Sequence, residues 1–229
     1  MQLYGIGDLH LSLGVPEKPM DIFHGWENYM QLLEQHWRAM VQPEDTVVLA
    51  GDLSWGMTLP QAKADFAFLE TLPGQKIILK GNHDYWWNSM KKMQQFFADN
   101  GFDSLHILHN NHYAFQQYGI CGTRGWVSIN GETADAKVLA REVQRLEVSI
   151  QSALNEQLTP IVFLHYPPIY GNSYNYEILE VLHRYAIPEC YYGHIHGKAH
   201  QYAFEGVYEE TKMHLISGDY IQFKPVKIV

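Results

Sequence analysis

The stretch Lys76-Ile77-Ile78-Leu79-Lys80-Gly81-Asn82-His83-Asp84 decides how the chain is read. A short β-rich apolar run ends on glycine, and the next side chains are an amide, an imidazole and a carboxylate. Four more runs stop in a similar way. Leu3 to Gly7 stops at Asp8-Leu9-His10, and Thr46 to Gly51 stops at Asp52. Ile161 to Leu164 stops at His165, and Cys190 to Gly193 stops at His194-Ile195-His196. Runs of this length, separated by helix-like stretches, read as buried parallel strands. In open α/β sheets the ligand crevice lies at the carboxyl ends of such strands. Five strand ends therefore bring Asp8, His10, Asp52, Asn82, His83, His165, His194 and His196 to one rim.

Composition fits that picture. The 229 residues suffice for one domain with a sizeable core, taken here as 1–229, and 46% apolar residues match an ordinary globular protein. A formal charge of −9 argues against a broad electrostatic grip on duplex nucleic acid or anionic lipid. Two bound cations would reverse the sign locally, so an anionic substrate stays compatible. Cys121 and Cys190 lie in strand-like runs and read as buried free thiols, with a disulfide as the alternative. Met1 to Gly7 has no basic start and too short an apolar run for a signal peptide, and no stretch is long enough to suggest a membrane span. The expectation is a soluble, cytoplasmic protein. Its oligomeric state is not readable.

Helical periodicity marks Trp26 to Val41, Met57 to Leu72 with Pro60 in its first turn, Asp84 to Asn100 with Asp84 as a candidate N-cap, Ala134 to Glu156, and Glu177 to Tyr185. Asn100-Gly101 reads as a C-cap. Leu11 to Phe23 is expected as a loop near the rim. After His196, alternation predicts strands at Ala199–Phe204, Lys212–Ser217 and Asp219–Phe223, with a possible last one at Val226–Val229.

Asp8, His10, Asp52, Asn82, His165, His194 and His196 make seven candidate ligands, too many for one tetrahedral zinc. Seven suit two metals that share a ligand. A carboxylate can bridge two cations, and Asp52 falls between the other groups in sequence order. Such a pair can clamp both oxygens of an in-line displacement and lower the pKa of a bound water to ~7. In Asp8-Leu9-His10 and His194-Ile195-His196, an extended chain would point both ligands the same way and the middle residue into the core. Gly7, Gly51, Gly81 and Gly193 each precede a ligand, where glycine permits a sharp exit and close approach of metal or substrate. His83, without an obvious metal role, is left to act as acid or charge stabiliser at the leaving oxygen.

The set Gly7-Asp8-Leu9-His10, Gly51-Asp52-Leu53, Gly81-Asn82-His83-Asp84, His165 and Gly193-His194-Ile195-His196 resembles the calcineurin-like metallophosphoesterase family over most of the chain. The resemblance implies an α/β (α+β) fold: a four-layer αββα sandwich of two mixed β-sheets flanked by helices. It implies that Asp8, His10, Asp52 and His196 hold one metal. Asp52, Asn82, His165 and His194 would hold the other, with His83 near the leaving group and metal-bound hydroxide attacking phosphorus in line. Protein Ser/Thr phosphatases of the family carry Arg where Lys80 stands, and Asp then Arg where Trp55 and Gly56 stand. The chain is therefore similar to the broad bacterial-type phosphoesterases, which act on phosphate mono- or diesters. Mixed N/O ligation suits Mn, Fe or Zn. A catalytically silent scaffold is the rival expectation, and such proteins usually lose ligands; none is missing here.

For a small-molecule or nucleotide-like phosphoester, Arg124 in the glycine-rich loop could hold a phosphate through its planar fork of donors. Trp126 and Tyr166, with Trp55, Trp86, Trp87, Tyr170 and Tyr174, lie within a few residues of the rim motifs. They could stack on a nucleobase or aromatic leaving group.

Overall fold

A computed structural model describes residues 1–126 and 136–229. In chain order come β1 (Leu3–Ile6), α1 (Tyr29–Met40), β2 (Thr46–Leu49), α2 (Leu59–Thr71), β3 (Gln75–Ile78), α3 (Met90–Asn100), β4 (Leu105–Ile107), β5 (Tyr113–Phe115) and β6 (Tyr118–Thr123). Then follow α4 (Ala136–Asn155), β7 (Thr159–Leu164), the small hairpin β8 (Ile169–Tyr170) and β9 (Ser173–Tyr174), α5 (Tyr176–Arg184), β10 (Glu189–Tyr192), β11 (Gly206–Tyr208), β12 (Thr211–Leu215) and β13 (Val226–Lys227).

These strands form two mixed sheets. The first runs β13-β1-β2-β3-β4, parallel throughout except for β13. The second runs β11-β12-β10-β7-β6-β5, with a parallel centre and an antiparallel strand at each edge. Side chains alternate along each strand, and the alternation sorts them into layers. Tyr4, Ile6, Val47, Leu49 and Ile78 pack with Leu33 and Trp37 of α1, Phe66 of α2 and Phe97 of α3. Their neighbours Leu3, Val48, Ala50 and Ile77 pack against Ile120, Ile161, Phe163 and Tyr191 of the second sheet. The far face of that sheet, including Val162, Leu164, Cys190 and Tyr192, buries Leu146 and Ile150 of α4 and Ile178 and Leu182 of α5. The result is a four-layer αββα sandwich with an apolar layer between its sheets.

The sheets touch where β1 ends. The Gly7 N–H donates to Ile216 O at 2.7 Å, and Gly7 bridges Ser217 in parallel. This contact brings the ends of β1, β2 and β3 face to face with those of β7 and β10.

Local signals hold at several ends. Thr58 caps α2 by accepting the Gln61 N–H at 3.4 Å, with Pro60 in the first turn. Gly101 closes α3 at φ 68°. Three expectations are corrected. Ala199–Phe204 is not a strand: a 3-10 turn runs Gly197–Tyr202 and breaks at Ala203. Asp219–Phe223 is a turn as well, since Asp219 is committed to the site. Asp84 does not cap a helix, because α3 begins six residues later behind Ser89. The first helix is also shorter than expected, starting after Asn28 at φ 56°. Residues 134–135 of the expected fourth helix lie outside the described residues. Cys121 and Cys190 are free and buried. Among the described residues, no helix is long and apolar enough to cross a membrane.

Candidate metal centre

The loops that leave β1 and β2 stay paired beyond the strands. Asp8 N–H donates to Gly51 O, His10 N–H to Asp52 O, and Leu11 N–H to Leu53 O, each at 2.9 Å. This ladder fixes Asp8 and His10 beside Asp52. The expected extended geometry does not hold here: Asp8, His10, Asp52 and His194 sit at φ 58°, 44°, 50° and 73°. Left-handed backbone is costly for residues with a side chain, so its concentration at these four positions marks a site held by its surroundings. Leu9 and Ile195 nonetheless point into the core, as expected.

Glycine has a sharper purpose than metal access. A Cβ on Gly81 would lie 2.1 Å from both the N and Oδ1 of Asp52, and one on Gly193 would lie 2.3 Å from Asp8 Oδ2. The missing side chains make room for the two carboxylates themselves.

Two groups of side chains converge. Asp8, His10 and His196 form one and Asp52, His165 and His194 the other; within each, the ligand atoms lie within 4.8 Å of one another. Asn82 joins the second group, with Oδ1 2.6 Å from His165 Nε2. Asp52 stands between them: its Oδ2 is 3.7 Å from His10 Nε2 and 3.5 Å from His165 Nε2. Its other oxygen accepts the His83 N–H at 2.7 Å. Asp8 divides its oxygens likewise, Oδ2 accepting the His194 N–H at 2.9 Å and Oδ1 lying 3.4 Å from His196 Nε2.

Asp8 Oδ1 and Asp52 Oδ2 are buried and accept no hydrogen bond from any described residue. An orphaned buried carboxylate oxygen costs free energy unless a cation meets it. Hard oxygen donors interleaved with imidazoles also match the chemistry of divalent transition metals. The residues therefore fit a pair of metal ions.

The titration behaviour agrees at His10, His165 and His194, while His196 carries a proton that a metal would displace. Burial pushes His10 and His194 down to about 3, leaving neutral imidazoles with free lone pairs. Burial also lowers His165. Burial, then Asp84 and Asp8, push the Asp52 carboxyl well above its usual range, the mark of crowded carboxyls without a counter-charge. Burial works to raise Asp8 too, but His196, His165 and His10 hold it below the usual range. Burial opposes the charge on His196, yet Asp8 and Asp219 raise it to about 10.

Two supporting residues escaped the sequence reading. Asp219 Oδ1 meets His196 Nδ1 at 2.9 Å, while Oδ2 accepts the Gly197 N–H at 2.9 Å and lies 3.3 Å from His200 Nε2. It fixes the ring orientation that turns Nε2 toward Asp8. Asp84 accepts from the backbone N–H of Asp52, Leu53, Ser54 and Gly81 at 2.7–3.3 Å and from Trp86 Nε1 at 3.0 Å.

His83 belongs to neither ligand group. Its half-buried ring lies 4.6 Å from Trp55 and 5.7 Å from His10, and burial together with His165 and His196 lowers its pKa. Of the expected substrate residues, Tyr166 packs 4.3 Å from the His194 ring and 5.4 Å from Trp126. The Arg124 guanidinium lies 3.5 Å from Glu142 and over Trp126 at 5.1 Å. Trp86 is core.

Residues 1–198 match the calcineurin-like phosphoesterase family. The chain belongs to that family. Its phosphoesterase fold recurs in solved structures at low identity. A protein of unknown function from Aquifex aeolicus, AQ665, is 16% identical with a TM-score of 0.50, over 99% of this chain and 95% of that one. A second solved chain is 9% identical with a TM-score of 0.55, over 93% of this chain and 88% of its own. No curated protein matches this phosphoesterase chain.

Proposed function

We propose that the protein hydrolyses phosphate mono- or diesters of small or nucleotide-like molecules with two metal ions, Mn, Fe or Zn. Asp8, His10 and His196 would hold one ion and Asn82, His165 and His194 the other, with Asp52 shared. Bound there, the ions supply the positive charge that activates water and neutralises phosphoryl oxygens. The observation that carries this is Asp52 Oδ2, buried, unsatisfied and within 3.7 Å of a histidine from each group.

The chain's own residues supply the rest. Asp219 keeps His196 oriented. Asp84 clamps the loops that bear Asp52 and Asn82. His83, anchored through its N–H to Asp52 and otherwise facing the cleft, is placed to give a proton to the leaving oxygen. Two buried thiols accord with a reducing cytoplasm.

Metal content and turnover of p-nitrophenyl phosphate and bis(p-nitrophenyl) phosphate with added Mn provide the test. Both metal uptake and hydrolysis are expected. Asp52→Asn should lower turnover by more than the roughly 100-fold that losing an outer partner of a metal ligand costs. A variant with full activity and full metal content would refute the shared-ligand role.

A further inference from the structure

The cleft over the ligand groups has about 430 Å³ of space. Beside His10, Asp52, His83, His194 and His196 it is walled by Met20, Phe23, Trp26 and Trp55, with His24 and Gly197 completing the lining. The wall is preformed. Turns hold its loop, with Phe23 N–H donating to Met20 O at 3.0 Å and Trp26 N–H to Phe23 O at 3.1 Å. Trp26 is wedged edge-on against Tyr29 and Phe223. Trp55 stacks on His10 at 5.0 Å and lies next to His83.

Phe23 is 53% exposed, although the neighbouring Met20 and Trp26 are buried. The Lys18 ammonium donates to Trp55 O at 3.3 Å and lies over the Trp55 ring at 5.6 Å, and His24 lies 3.5 Å from Glu27. Arg124 does not line the cleft. Away from the ligand groups, a second phosphate or carboxylate on the substrate would meet mostly rings and a thioether, which offer little to offset its desolvation.

We propose that the leaving group of the phosphoester is apolar and planar, and that it lies against Phe23, Met20 and Trp55 next to His83. This rests on the phosphoesterase function proposed above and adds the class of the alcohol. An aromatic leaving group gains ring contact and apolar burial there, whereas a polyol or polyphosphate gains neither.

The test compares 2-naphthyl phosphate, phenyl phosphate and glycerol 2-phosphate with the Mn-loaded protein. Naphthol and phenol leave with similar ease, so their ratio reads the wall. Stacking of one extra ring leads to an expected kcat/KM ratio of about 10-fold for naphthyl over phenyl. Phe23→Ser should bring that ratio to within about 2-fold. Binding is read independently by calorimetry with naphthylmethylphosphonate and methylphosphonate. The aromatic ligand should bind about 10-fold tighter to the wild type, and Phe23→Ser should remove the gap. A ratio near one, a preference for glycerol 2-phosphate, or a ratio unchanged by Phe23→Ser would overturn the aromatic leaving group while sparing the phosphoesterase. Tight phosphonate discrimination without turnover of any ester would keep the wall and overturn hydrolysis. No turnover and no discrimination would overturn both.

Discussion

Asp84→Asn tests how the site is held together. Asp84 is buried and accepts five hydrogen bonds. Oδ2 takes the N–H groups of Asp52 and Gly81, while Oδ1 takes those of Leu53, Ser54 and Trp86 Nε1. An amide must turn its NH2 toward one of these sets. In the cheaper orientation the NH2 replaces Oδ2 and leaves two buried N–H groups facing a donor. At about 1–3 kcal/mol for each buried group left unpaired, the loss is about 2–6 kcal/mol. The three remaining bonds also lose their charge assistance. Against a typical stability of about 5–15 kcal/mol, that is a large fraction. Urea unfolding at pH 7, followed by tryptophan fluorescence, measures it. A chelator should be present for both proteins, so that metal binding does not add to either. A variant within about 0.5 kcal/mol of wild type would lie inside the range of ordinary surface substitutions and would refute the role assigned to Asp84.

Other substitutions probe separate parts. His83→Ala is expected to lower kcat by about 10²–10⁴-fold with metal content unchanged; a parallel loss of metal would make His83 a ligand instead. Asp219→Asn should weaken binding at the His196 site by about 10–100-fold, read by metal titration, and equal affinity would remove Asp219 from the site. Lys76 is fully buried, its ammonium bonded to Leu72 O and, at 3.0 Å, to Ser104 Oγ, and burial lowers its pKa from 10.5 to about 8. The unfolded chain therefore binds the extra proton between pH 8 and 10.5. Relative to Lys76→Met, wild-type stability should rise with pH across that window, by a total of about 3 kcal/mol, and show no such gain below it. Burial pushes up the Cys121 and Cys190 thiols in both proteins alike, so their loss of stability in this range cancels in the comparison, and a wild type that loses stability relative to the variant between pH 8 and 10.5 would contradict this.

Much of the site was legible because its signature is local. A β-rich run followed by a ligand can be recognised without knowing which strands pair. The pairing itself was less accessible to periodicity. β1, β2 and β3 lie in one sheet and β7 and β10 in the other, a division set by crossovers and by the contact of Gly7 with Ser217. Trp26 was missed for a related reason. Trp26 fits the helical period of the residues after it, and only the left-handed Asn28 breaks it away into the cleft wall. The C-terminal strands at 199–204 and 219–223 were misread because five or six alternating residues fit a 3-10 turn or a tight turn about as well as a strand.

Asp219 shows where the signature reaches further than it was taken. Thr211 to Leu215 forms β12, and the chain then runs Ile216-Ser217-Gly218-Asp219. That is again a β-run, a glycine and an acid, and β12 lies parallel beside β10. A parallel neighbour of β10 must end on the rim that carries His194 and His196. The carboxylate just past its end is therefore within reach of those imidazoles but behind them. From that position it fixes His196 through Nδ1, leaving Nε2 to face Asp8. Strand order thus separates the groups that meet a cation from those that aim them, and Asp84, buried beneath the β2 and β3 loops, falls on the aiming side by the same geometry.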